Sequence, residues 1–297
     1  MSRRGLALFG VMCIIWGIPY LLIRVAVKEL SPAFLVFART GLAALLLLPL
    51  AARRGELRVL LPRWRPLVLF AVVEIAVPWL LLSRAEQRLT SSLTGLLIAA
   101  VPLVGAVFTA AAGSVDRLDG RSWLGLMIGL LGVAALVGLD FGSVGVIPLL
   151  EVCVVVVGYA TGPMVLSRYL TGLPSLGIVA ASLTMTALVY APVAALQLPT
   201  HVRLDVVLSV AGLAVVCTAV AFLLFFDLIA EVGPVRATVI TYVNPAVAAV
   251  LGVAVLGEHF TAGMAVGFAL VLGGSVLATR RRVQPKAPAP VVEAAPG

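Results

Sequence analysis

The stretch from Pro245 to Val276, PAVAAVLGVAVLGEHFTAGMAVGFALVLGGSV, has a counterpart from Pro102 to Val133, PLVGAVFTAAAGSVDRLDGRSWLGLMIGLLGV. Both carry a proline, an acid and two glycines in the same order: Pro102, Asp116, Gly125 and Gly132, then Pro245, Glu258, Gly267 and Gly274. The acid and both glycines are displaced by 142 residues (258 − 116, 267 − 125, 274 − 132), the proline by 143 (245 − 102). A constant displacement of this length marks an internal duplication, and the apolar runs around each copy make it a duplication of membrane-embedded sequence.

Of the 297 residues, 62% are hydrophobic and 11% charged, and mean hydropathy is +1.17. A soluble domain carries about 25% charged residues, so the chain is an integral membrane protein. Its apolar runs are continuous and about 20 residues long, the length of helices crossing a ~30 Å hydrocarbon layer and not of barrel strands. The expected spans are 6–27, 33–51, 66–83, 90–112, 122–139, 145–167, 177–197, 206–228, 234–256 and 262–279. The expected fold class is therefore an all-α integral membrane protein with ten transmembrane helices. It divides into one five-helix repeat over 6–139 and another over 145–280, with a disordered Pro/Ala/Val tail at 283–297. Five is odd, so the second repeat enters the bilayer upside down relative to the first. Inverted repeats of this kind are an architecture of secondary transporters.

Arginine placement sets the expected orientation. With the N-terminus cytoplasmic, inside segments hold 15 of the 21 Lys/Arg residues and outside segments only Arg24, Lys28, Arg84, Arg88 and Arg203, leaving Arg39 within a span. The positive-inside rule then puts both termini in the cytoplasm and the protein in the cytoplasmic membrane. The net charge of +8 lies beside spans, so it reads as a topology signal and not as a nucleic-acid surface. Cys13, Cys153 and Cys217 are scattered in apolar runs, and His201 and His259 are isolated, so no metal site is expected. The only lysines, Lys28 and Lys286, follow no glycine, which excludes a P-loop ATPase in this chain. No cofactor is expected. Arg3 and Arg4 precede a run without a small-x-small cleavage site, so the first apolar segment reads as a retained span.

Trp16-Gly17, Pro32 followed by Arg39 and a Leu/Ala run, Cys217-Thr218-Ala219, Pro245, Gly257-Glu258 with Thr261, Gly267 and Gly274-Ser275-Val276 stand in an order and spacing that resemble a known group. The chain is similar to the drug/metabolite transporter superfamily, with two EamA-type repeats over roughly residues 6–280. It departs from the pattern at Asp116, which follows Ser114-Val115 where a Gly-Glu pair is typical. The resemblance implies a 5+5 inverted repeat, a central cavity, and secondary transport of a small-molecule substrate, commonly efflux. Uptake and efflux of hydrophobic drugs remain alternatives. A membrane enzyme acting on lipid-linked substrates is a weaker one, because the chain lacks the long loops and acid or histidine clusters such enzymes use.

Glu74, in FAVVEIAVP (Phe70–Pro78), is the sharpest candidate. A charge in mid-span costs about 2.5–3.5 kcal/mol on insertion scales, so it should face a cavity or a partner. A buried carboxyl is also what proton coupling uses, and the alternative is a structural carboxyl without a transport role. Helix rise puts Arg39 and Glu151 ~9 Å and Glu74 ~13 Å below the same end of their spans, so an Arg39–carboxylate pair is geometrically allowed. Arg39 reads equally as a packing arginine, and Glu151 as a snorkelling end residue. Pro102 and Pro245 are expected to kink corresponding spans, as gating hinges or as ordinary kinked packing. Tyr242 and Asn244 are the expected substrate contacts of the second half. Trp16, Tyr20 and Tyr159 are candidates to line the cavity, with Tyr20 and Trp79 equally readable as interfacial anchors or core. Gly125, Gly129, Gly132, Gly263, Gly267 and Gly274 read as packing sites, Asp119 and Thr261 as N-caps, and Glu258 as a helix-end residue. Glu74 falls opposite Cys217 in the repeat, and the seventh span has no arginine to answer Arg39.

Overall fold

Hydrocarbon offers no partner to a bare N–H or C=O, so each apolar run closes its own backbone hydrogen bonds as a helix. The computed structural model describes residues 2–111, 120–138, 145–233, 237 and 239–279; these are helices with short connections and contain no strand. The helices are α1 Arg3–Ala26, α2 Pro32–Arg53, α3 Glu56–Ala85, α4 Ser91–Ala111, α5 Gly120–Val137, α6 Val146–Tyr169, α7 Ser175–Ala195, α8 Leu204–Val232, α9 Ile240–Leu256 and α10 Ala262–Thr279. Among the described residues nine are long and apolar enough to cross a membrane, and α9, with 17 residues, is the shorter tenth. Asp116, Asp119 and the 283–297 tail lie outside the described residues. Thr261 is an N-cap as expected, its Oγ1 accepting from Met264 N at 3.1 Å.

α3 departs most from expectation, starting at Glu56 and not near 66. A short helix Glu56–Leu60 and a 3-10 turn Leu61–Arg63 lead into Trp64–Phe70. Arg58, Arg63 and Arg65 lower hydropathy there, yet they only hold their charged heads outward while the backbone continues. Two polar contacts fix this end: Arg63 Nη1 donates to Tyr169 O at 2.6 Å, and Gly177 N donates to Glu56 Oε2 at 2.8 Å.

The packing has the symmetry of the duplication. α2 packs on α7, α4 on α9 and α5 on α10, each helix against its own counterpart; α3 packs on α6, and reciprocally α8 on α1. A two-fold axis between the halves generates this pattern, and opposite insertion of the repeats lays the axis in the membrane plane. The glycines of the duplicated stretch are the seam. A Cβ on Gly125 would fall 2.7 Å from Gly274 O, one on Gly132 2.8 Å from Gly267 O, and the reciprocal distances are 2.5 and 2.8 Å. Glycine is required because backbone meets backbone.

One helix irregularity also comes as a repeat pair. α3 contains a π-helical segment at Ala71–Ala76 and α8 one at Gly212–Val220. Such segments are frequent at functional sites. Pro245 lies inside α9, and α4 is interrupted within its span just ahead of Pro102. α4 breaks at Ala99–Ala100, and Pro102 sits in the first turn of the next piece, Val101–Ala111, where its missing N–H is one that a first turn does not use. Nor are interior prolines special to this pair, since Pro49, Pro163 and Pro192 also lie inside helices. Pro49 and Pro192 are themselves repeat counterparts, 143 residues apart.

Candidate functional site

Arg39 is the centre of the polar interior. It lies in the third turn of α2 and is 7% exposed. Its guanidinium carbon lies 3.6 Å from the centroid of the Trp79 ring on α3, and Nε donates to Thr218 Oγ1 on α8 at 3.0 Å. Thr218 sits in the π-helical segment, and its own hydroxyl donates to Leu213 O, five residues back, at 2.7 Å. The counterpart interaction exists in the other half: Tyr190 of α7 donates its hydroxyl to Ala76 O in the α3 π segment at 3.0 Å. Each π segment is thus held by a polar side chain from the partnering repeat.

The Arg39–carboxylate pair that depth allows does not form among the described residues. Glu151 pairs instead with Arg84 at the ends of α6 and α3, Nε to Oε1 2.9 Å. Depth fixed one coordinate of these residues, whereas rotation about each helix decided which faced which. Trp79, read as an anchor or core residue, is the buried platform under Arg39. Tyr20 is buried on α1 and Tyr159 half-buried on α6, both close enough to Arg39 to interact with it electrostatically.

Glu74 lies within the α3 π segment and faces α6. Gly158 and Gly162 form the notch that receives it: a Cβ on Gly158 would fall 2.4 Å from Val73 O, and one on Gly162 1.8 Å from Glu74 Oε2. Glu74 Oε2 is buried without a hydrogen-bond partner, and Tyr159 is near enough to feel the Glu74 charge.

Other predicted site residues lie elsewhere. Trp16 packs edge-on to Phe222, centroids 5.9 Å apart, and against Phe225 at 4.7 Å. α1 breaks beside it: Gly17 N turns back to Ile14 O, and Val247 Cβ of α9 stands 2.5 Å from where a Gly17 Cβ would be. The break leaves Cys13 O without its usual donor. Asn244 supplies one when its amide is assigned with nitrogen toward Cys13 O (3.1 Å) and Ile240 O (2.9 Å), the orientation in which neither carbonyl oxygen faces another acceptor. Asn244 is therefore placed as a clip over the α1 break. Tyr242 lies in the first turn of α9, its hydroxyl 3.2 Å from Thr279 Oγ1 of α10.

Glu258, read as a helix-end residue, is one with a specific task. It accepts from Ser91 N at 2.8 Å, Ser91 Oγ at 3.0 Å, Ser92 N at 2.8 Å and Ser92 Oγ at 2.6 Å, so it caps α4 from the α9–α10 connection. Beside this clip is a residue sequence reasoning missed. Glu86, at the end of α3, is fully buried, with neither carboxyl oxygen hydrogen-bonded. Arg24 of α1 donates to the Glu86 backbone carbonyl, not to its carboxylate. Burial, foremost, and the Glu258 charge push the Glu86 carboxyl well above the usual glutamate range, against the pull of Arg24 and Arg39. A signal was available: Trp79, Leu82, Ser83, Glu86 and Leu89 form one buried stripe at helical spacing, whereas Arg84 and Arg88 point outward.

A ten-helix inverted repeat with counterpart π segments and an ionisable interior defines a class, the membrane carriers built by duplication. The chain matches the EamA-like transporter family over residues 3–138 and again over 146–280, and it belongs to that family. Among curated proteins it is 31% identical over 270 residues to the "Uncharacterized inner membrane transporter YedA" of Escherichia coli strain K12, covering 86% of this chain and 85% of the relative. The same identity holds to YedA of Escherichia coli O157:H7. One protein of known crystal structure shares the fold with a TM-score of 0.67 at 21% identity, over 94% of this chain and 98% of its own.

Proposed function

We propose that the protein is a secondary transporter of the cytoplasmic membrane that exports a small, amino-acid-like metabolite unaltered, by rocking of the two repeats. Both termini are cytoplasmic in this reading, supported by the arginines clustered at the α2–α3 connection, and the membrane assignment is supported by the name of the YedA relatives. The observation that carries the reading is Arg39. A guanidinium has five N–H donors, and among the described residues no carboxylate lies within ion-pair distance of this buried one. Thr218 occupies Nε and Trp79 one face, which leaves the terminal nitrogens to a substrate carboxylate. Tyr20 and Tyr159 flank that position, and Glu74 is the carboxyl through which protons couple to movement.

Reconstitution into liposomes with a panel of amino acids and small carboxylates, with and without a pH gradient, tests this. Transport of one panel member, abolished by Arg39→Ala, is the expected outcome. Gradient-insensitive transport retained by Glu74→Gln removes the coupling role. Flux of hydrophobic cations in place of the panel establishes drug efflux instead.

A further inference from the structure

Glu86 is a buried ionisable group that the reading above leaves unused and, unlike Glu151 with Arg84, it has no ion-pair partner among the described residues. Its surroundings are contributed by several elements: Tyr20 and Arg24 of α1, Arg39 of α2, Tyr159 of α6, and Glu258 from the α9–α10 connection. No cation among them donates to the Glu86 carboxyl oxygens. Arg24 holds the Glu86 backbone carbonyl, and Arg39 holds Thr218 and covers Trp79. Glu258 is committed to the α4 N-terminus, where its two oxygens accept from four donors. A carboxylate left inside protein without a donor is strongly penalised, and the group neutralises instead. Both Glu86 oxygens are in that position, next to a second acid.

We propose that Glu86 is a proton-binding site, neutral while the Glu258 clip on Ser91 and Ser92 holds α4 to the α9–α10 connection beside it, and ionising when that face opens. A proton fits better than a metal cation, because Arg24 and Arg39 repel a cation and no cluster of three or more His, Cys, Asp or Glu that could hold a metal occurs among the described residues. Ionisation would put a second negative charge beside Glu258, so loss of the proton weakens the clip. Solute exchange on that face and proton release are thereby linked. This linkage rests on the transport reading; the proton site itself does not.

The test uses the full chain in lipid nanodiscs, in a Glu74→Gln background so that the other carboxyl with an unpartnered buried oxygen is silent. Infrared spectra across a pH series should show the C=O stretch of a protonated carboxyl persisting through neutral pH and absent from the Glu74→Gln/Glu86→Gln protein. Identical spectra with and without Glu86→Gln overturn the proposal, as does a band that sodium removes at constant pH. Closure is read separately. With Cys13, Cys153 and Cys217 replaced, alkylation of Leu89→Cys by an impermeant maleimide should accelerate with pH more steeply with Glu86 present than with Glu86→Gln. Equal slopes overturn the link to opening. Neither readout needs a substrate, so a negative transport panel would sink the transport reading while leaving this one standing.

Discussion

Replacing Arg39 by lysine keeps the charge and removes both the flat guanidinium over Trp79 and the Nε donor to Thr218. A hydrogen bond from a charged donor contributes about 1.5–3 kcal/mol, and the two side chains are not interchangeable at a stacked site. Arg39→Lys should therefore lower transport of the responsive panel member by about tenfold or more, since ~1.4 kcal/mol is tenfold. The check is initial rate in proteoliposomes against protein of equal thermal stability; a rate within twofold of wild type contradicts the role. Arg39, Glu74, Tyr20 and Tyr159 were legible because a polar group at membrane depth needs an explanation. Glu86 was not, because Arg84 and Arg88 on either side made it read as part of a solvated connection. Its buried stripe with Trp79, Leu82 and Ser83 shows only once α3 is extended to Ala85.

Among the helices, the repaired irregularities are the vulnerable points. Asn244→Ala removes the donor to Cys13 O at the α1 break and leaves a buried carbonyl unpaired, which should cost about 1–3 kcal/mol. Thermal unfolding in detergent should show a lowered midpoint; an unchanged one would assign Asn244 another role. Gly162→Ala puts a methyl where Glu74 Oε2 lies, so the carboxyl must leave its notch. The expected result is a changed pH dependence of transport with the fold retained. Gly274→Val drives side-chain atoms into Gly125 O and Gly129 N on α5. Overpacking of this kind costs about 1–3 kcal/mol and here affects two backbones that cannot yield by rotamer change. Aggregation on size-exclusion chromatography is the expected readout, with Gly273→Val, which has open space, as the tolerated neighbour. The sequence marked these glycines as packing sites; which pairs meet follows from the two-fold, under which Gly125 faces Gly274 and Gly132 faces Gly267.

For the molecule as a whole, pH should act on stability through Glu86. A carboxyl whose folded-state pKa is raised stabilises the fold fully below the ordinary glutamate range, near ~4.3. That contribution is lost as pH rises from there through the raised value. Wild type should lose stability over that interval more than Glu86→Gln does, measured by thermal unfolding across pH in nanodiscs. Parallel curves would show that Glu86 is ionised in the folded protein.

The sequence by itself determined the solvent, the ten spans and the inversion. These depend on apolar run length, an odd number of spans per repeat and a constant displacement, all of which are one-dimensional quantities. It also named the groups that must be accommodated at depth. Only the tertiary structure decided their partners: Arg39 with Thr218 and Trp79, Glu151 with Arg84, Asn244 with the α1 break, and Glu86 with no partner. Helix rise gives depth along the membrane normal, but which side chains meet depends on helix rotation and neighbour identity. Two π segments and two helix breaks reset that rotation at positions no hydrophobic period reveals.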